Sequence, residues 1–156
     1  MSAAVSAGQE PAVVAAVRQW RAAQTEAVAP AERERLAEAM LAAIRVATLY
    51  LPMVRDTDDG QLAPGRRETG GVAWLVAYST VERLAGAERQ LDAVWQVRGV
   101  DVLGRYLVEA PELAGAVLDL GSPHFVFFPR LEGIVAPEAV LHTGDSFPLD
   151  SSEGAW

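Results

Sequence analysis

Val72-Ala73-Trp74-Leu75-Val76-Ala77-Tyr78, running directly into Ser79-Thr80-Val81-Glu82, is the stretch that decides the fold. Seven uncharged, mostly apolar residues in a row suit a strand covered on both faces, since a strand with one wet face alternates apolar and polar residues. The Ser-x-x-Glu that follows has the form of a capping box, with the Ser79 hydroxyl accepting from the Glu82 amide and the Glu82 carboxylate reaching back. A short helix to about Gly86 is expected to follow. A doubly covered strand feeding a helix points to a mixed α+β domain.

Upstream, Thr48 to Val54 is short and apolar and predicts another strand, with Pro52 marking an edge or a bulge. Arg55 to Gly71 is polar and punctuated by Asp58-Asp59-Gly60, Ala63-Pro64-Gly65 and Gly70-Gly71, so the two apolar runs resemble a long-looped hairpin. Further upstream, Val13, Val14, Val17 and Trp20 repeat at helical spacing between Pro11 and Val28. Leu36, Met40, Ala43, Ile44 and Ala47 form the stripe of a second helix, from Ala31 to Ala47. Downstream, Ala93 to Arg98 predicts a strand, and Asp101 is placed as the cap of a helix through Val108. Ala116 to Leu120 and His124 to Phe128 read as strands joined by the turn Gly121-Ser122-Pro123. The expectation is a mixed sheet of about four to five strands with helices packed on it. Residues 1–30 would be an N-terminal helical extension, 31–143 the α+β domain and 144–156 a flexible tail.

Several of these segments carry a resemblance. Ala47-Thr48-Leu49-Tyr50-Leu51-Pro52-Met53-Val54 and Ala77-Tyr78-Ser79-Thr80-Val81-Glu82-Arg83-Leu84 resemble the N-terminal domain of SseB-like proteins. So do the helix start Arg98-Gly99-Val100-Asp101-Val102-Leu103 and the turn Asp119-Leu120-Gly121-Ser122-Pro123. The similarity runs from about Leu41 to Phe128 and leaves the first helix outside. The chain departs from the pattern at Tyr78-Ser79-Thr80, where Phe-Thr-Ser is usual, and at Asp119-Leu120-Gly121, where Asn-Pro-Gly is usual. The resemblance implies an α+β domain without assigned catalysis, from a family named for a serine-sensitivity phenotype and found around bacterial secretion and toxin systems. It sets an expectation of a regulatory or interaction role by analogy of fold.

Composition removes many chemistries. The 156 residues carry 21 acidic and 13 basic side chains, a net charge of -8 and a pI near 4.7, which disfavours nucleic acid and anionic membranes as partners. Every basic residue is arginine, so no lysine can form a Schiff base or serve a phosphate-binding loop. There is no cysteine, hence no disulfide and no thiolate chemistry. The abundance of Ala, Gly, Val and Arg suggests a high-GC bacterial genome, and the missing leader and spanning segment suggest a cytoplasmic protein.

Look-alike motifs fail on spacing. Asp56-Thr57-Asp58-Asp59-Gly60 has Gly60 where a calcium loop needs a fifth-position ligand and Arg67 where it needs a glutamate, so a solvated hairpin loop is favoured. Gly144-Asp145-Ser146-Phe147, with His142 before it, lacks the elbow of a nucleophilic serine. His124 and His142, with Asp119 or Asp145, do not make a convincing metal set. No catalytic, cofactor or metal residue is therefore assigned. The expectation is a non-enzymatic interaction or regulatory domain that binds a protein partner, or a second copy of itself, through an apolar or strand-edge face. The alternative is a small-molecule site lined by Trp74, Tyr78 and Trp95. Phe127 and Phe128 complete the set of contact candidates, because adjacent strand residues face opposite ways and one must leave the first core.

Overall fold

A computed structural model describes residues 10–56 and 58–141. The tail beyond 141, including His142 and the Gly144–Phe147 block, lies outside the described residues. The elements in chain order are α1 (Ala12–Thr25), α2 (Pro30–Val46), β1 (Thr48–Arg55), β2 (Leu62–Pro64), β3 (Arg66–Thr69) and β4 (Val72–Ala77). There follow α3 (Val81–Ala87), β5 (Ala93–Arg98), α4 (Gly99–Val102), α5 (Arg105–Val108), β6 (Gly115–Leu118), β7 (Val126–Pro129) and a 3-10 turn at Pro137–Ala139. The α+β class is as expected. The strands, however, divide into a three-stranded sheet, β2-β1-β5, and a four-stranded sheet, β3-β4-β6-β7. All pairings are antiparallel except β4 with β6, which makes the larger sheet mixed.

The division is made by Pro52 and Gly65. Pro52 is buried in the middle strand of its sheet, not at an edge as its missing N–H would suggest. The Gly65 amide donates to the Pro52 carbonyl at 2.7 Å, and a reciprocal bond would need a Pro52 N–H that does not exist. The Gly65 carbonyl instead accepts from Val76 of β4 at 3.2 Å. At this residue the chain leaves one sheet for the other. A Cβ on Gly65 would come within 3.2 Å of both the Pro52 ring and its carbonyl, so the closest packing at the corner calls for glycine. The polar stretch between the apolar runs thus contains β2 and β3. Two hairpins, β1–β2 and β3–β4, replace the single long-looped one.

β1 and β4 meet again at Tyr50 and Tyr78, whose backbones exchange bonds of 2.8 and 2.9 Å. β4 then serves two cores. Leu75 and Ala77 face the main core with Leu49, Leu51, Met53, Ala116, Leu118 and Phe128. Trp74, Val76 and Tyr78 face a second cluster with Leu84, Ala114 and Val117. This is the doubly covered strand that the uncharged run implies.

The N-terminal helices belong to the main core. α1 buries Val13, Val14 and Val17 there, and α2 adds Met40 and Ile44. Pro30 opens the second helix, one residue before the expected Ala31 start, where a missing N–H costs nothing. Gly99 has the closest approach of any glycine among the described residues, since a Cβ there would lie 1.6 Å from the Ile44 carbonyl oxygen. The predicted helix to Val108 breaks in two at Gly104, and Asp101 lies within α4 instead of capping it.

One buried cation closes the far end. Arg130, 7% exposed, donates to the carbonyls of Leu113, Ala139, Leu107 and Ala110 at 2.7 to 3.0 Å. Burial weakens its hold on its proton, opposed by the charge of Glu112. Arg130→Ala is expected to lower the unfolding free energy in urea by about 3 kcal/mol, because it strips charged donors from buried acceptors. Arg130→Lys should lose nearly as much, since an ammonium cannot reproduce the planar fork. A lysine variant as stable as the parent would refute that account.

Candidate functional site

The aromatic residues singled out from sequence are not assembled into one pocket. Trp74 is buried in the second cluster and meets Phe127 edge-on, with ring centroids 4.8 Å apart. Tyr78 is in the same cluster, while Phe128 faces the main core, so the two adjacent phenylalanines do part to opposite sides. The cover over Phe127 is this second cluster, with Phe125 edge-on at 5.7 Å. The N-terminal helices touch the same loop elsewhere, through Arg21, which bonds the Phe125 carbonyl at 2.6 Å and lies over its ring. Trp95 belongs to β5 in the other sheet and is 42% exposed.

β5 forms an outer edge of its sheet. The Gly99 amide bonds the Ala47 carbonyl, and the register runs unbroken from Thr48↔Arg98 to Met53↔Ala93. Strand alternation then turns the backbone N–H and C=O of Val94, Gln96 and Arg98 outward. Among the described residues no backbone group pairs with those of Val94 and Gln96, whereas the Arg98 carbonyl opens α4.

A second feature was invisible to motif reading. β4 and β6 are parallel, so their carboxyl ends lie side by side, with Ala77 opposite Leu118. In open sheets of this kind ligands gather at such ends. Here the chain continues as Tyr78-Ser79-Thr80 on one side and Asp119-Leu120-Gly121 on the other. Asp119 is the one non-glycine residue with positive φ (57°) among the described residues, a conformation aspartate tolerates better than most. Its side chain is 2% exposed and accepts three bonds: from the Ser79 amide at 2.8 Å, the Ser79 hydroxyl at 2.7 Å and Arg83 Nη1 at 2.7 Å. The helix cap therefore passes to Thr80, which accepts from the Arg83 amide at 3.0 Å. The Ser79–Glu82 capping box does not form, because Ser79 is committed to Asp119.

Beside this pair, Glu88 accepts from the Tyr78 hydroxyl and from Arg67 Nη2, both at 2.6 Å. Arg67, Tyr78, Arg83 and Asp119 border an open cleft of about 410 Å³, completed by Gly86, Ala87, Leu120, Gly121 and Ser122. From sequence Asp119 stands as part of a turn in the family resemblance and as a weak metal-ligand candidate, not as the anchor of another strand end. The signal that could have found its role is an aspartate standing where a strand ends in a turn, opposite a serine that ends another strand. Arg67 and Glu88, 21 residues apart, carry no local signature at all. Among the described residues no group of three or more His, Asp or Glu side chains could hold a metal ion.

Fold and site together define a two-sheet α+β domain with a polar, charge-paired cleft at the carboxyl ends of its parallel strands. A family model described as SseB protein N-terminal domain matches residues 15–132. The chain belongs to that family. The match begins inside α1, so the first helix, which the motif resemblance left out, falls almost wholly within the matched span. No curated protein and no solved structure matches the chain. Among the described residues no helix is long and apolar enough to cross a membrane.

The Tyr78 phenol is pushed above its ordinary value of 10.0, by burial first and then by the bond to Glu88 and the charge of that carboxylate. The folded state thus holds this proton more tightly than the unfolded one. The resulting stabilisation is complete below pH 10 and declines as pH rises past it. Urea titrations should show the parent losing about 1 kcal/mol more than Tyr78→Phe between pH 9 and pH 11. Parallel pH profiles for the two proteins would contradict the assignment.

Proposed function

We propose that the domain is a non-enzymatic interaction module that receives an extended segment of a protein partner as an added strand on the outer edge of β5. The observation that supports this is the edge itself. Edge strands are normally blunted by lysine, proline, a bulge or a covering element. From Ala93 to Val97 β5 has neither charge nor proline, its pairing with β1 has no bulge, and Val94 and Trp95 are 40% and 42% exposed. Main-chain bonding along such an edge gives affinity, and alternate side chains give selectivity. The net charge of -8 favours a segment that is basic between its apolar residues. The arginine-only basic set, with abundant Ala, Gly and Val, supports a bacterial setting for this regulatory role.

Gln96→Pro provides a clean test, because it removes an outward N–H and leaves the bonds between β5 and β1 in place. Peptides of about 12 residues selected by display on the parent domain should be extended, with alternating apolar residues, and should bind Gln96→Pro at least about ten-fold more weakly. Trp95→Ala should also weaken them. Selected peptides that bind Gln96→Pro as tightly as the parent would remove the β5 edge from consideration.

A further inference from the structure

The cleft between the carboxyl ends of β4 and β6 has the makings of a second site, separate from the β5 edge. Arg67 and Arg83 both border it, and each spends one hydrogen bond on a carboxylate: Arg67 on Glu88 and Arg83 on Asp119. The carboxylates are the buried partners, at 13% and 2% exposure, and each also accepts from a neighbour other than its arginine, the Tyr78 hydroxyl on Glu88 and the Ser79 amide and hydroxyl on Asp119. The guanidiniums are the exposed partners, at 43% and 29%. Each is thereby held at a fixed place with most of its N–H donors unspent on its carboxylate. A planar donor fork fixed in this way matches a carboxylate group in geometry and charge.

We propose that this cleft binds a small organic monocarboxylate, its carboxylate between Arg67 and Arg83 and its apolar body against Ala87 and Leu120. The charge balance selects the class. Two guanidiniums and two carboxylates sum to zero, so the site can offset the desolvation of a single negative charge far better than that of a phosphate dianion. The volume of about 410 Å³ admits a ligand of roughly ten heavy atoms.

The test uses the full chain, isotopically labelled, with hexanoate and benzoate as probes and inorganic phosphate as the contrast. Both carboxylates should shift the amide resonances of Ser79, Gly121 and Ser122 saturably, with Kd of about 1–10 mM, as expected for fragments of this size. Phosphate should produce no saturable shift. Arg83→Gln is a poor variant, because it leaves buried Asp119 without its cation. Arg67→Gln should weaken benzoate about ten-fold. Gly86→Leu should abolish binding without harming the fold: Gly86 is exposed on α3, has open space where a Cβ would go, and borders the cleft. Shifts that persist undiminished in folded Gly86→Leu, saturation by phosphate, or no response to either carboxylate would each overturn the proposal.

Discussion

The missing N–H of Pro52 is the constraint on which the rest of the architecture depends. In a single antiparallel sheet the Gly65 carbonyl would accept from residue 52. Because it cannot, that carbonyl is left for Val76, and the strand that would have continued alongside β1 turns away to pair with β4. Two sheets then share one corner, rejoined at the Tyr50–Tyr78 bridge. β4 enters the interior between two apolar clusters, which is why its sequence has no polar alternation. The parallel partnership of β4 and β6 follows, and with it the cleft at their ends.

That cleft rests on a buried charge pair, which is expensive unless every lone pair is engaged. Asp119 engages both of its oxygens through three donors, two of them from the single residue Ser79. The left-handed backbone at Asp119 costs on the order of 1 kcal/mol and aims the carboxylate across to the other strand end. Arg130 solves the same problem differently at the opposite end of the main core, by spreading its charge over four carbonyls without a carboxylate partner. In both places a charged side chain fastens backbone where regular elements give way to loops. The domain can then hold short helices such as α4 and α5, four residues each, which would not be stable alone.

What could be read from sequence was what one residue's neighbours along the chain decide. The uncharged run at 72–78, the two helical stripes, the strand at 93–98 and the parting of Phe127 from Phe128 all rest on local periodicity, and the structure has them. The misreadings share a different cause. The rules that place Pro52 at an edge or a bulge, and Ser79 at a cap, assume the nearest available partner. In each case a residue far along the chain, Gly65 or Asp119, supplied a better one. Trp95 misleads for a related reason: its cross-strand partner Leu51 is fully buried, yet Trp95 stands on the last strand of its sheet and is half uncovered. Arg67, Glu88 and Arg130 are polar residues in unremarkable contexts, and only tertiary proximity gives them roles.

The segments that carry the family resemblance lie mostly at backbone junctions. Pro52 lies at the corner, Tyr50 and Tyr78 form the bridge, Gly99 fits where a Cβ would strike the Ile44 carbonyl, and Asp119 makes the left-handed turn. A signature of this kind specifies a frame. It says little about what the frame presents, because Arg67, Gly86 and Glu88 lie outside the shared segments and can change without disturbing a strand pairing. The same holds for the outward residues of β5, where Val94 and Gln96 make no core contact. In such a domain the motifs describe how the chain folds. Arg67, Gly86 and Glu88 beside the ends of β4 and β6, and the outward residues of the β5 edge, lie outside those motifs and are not held by the demands of the frame.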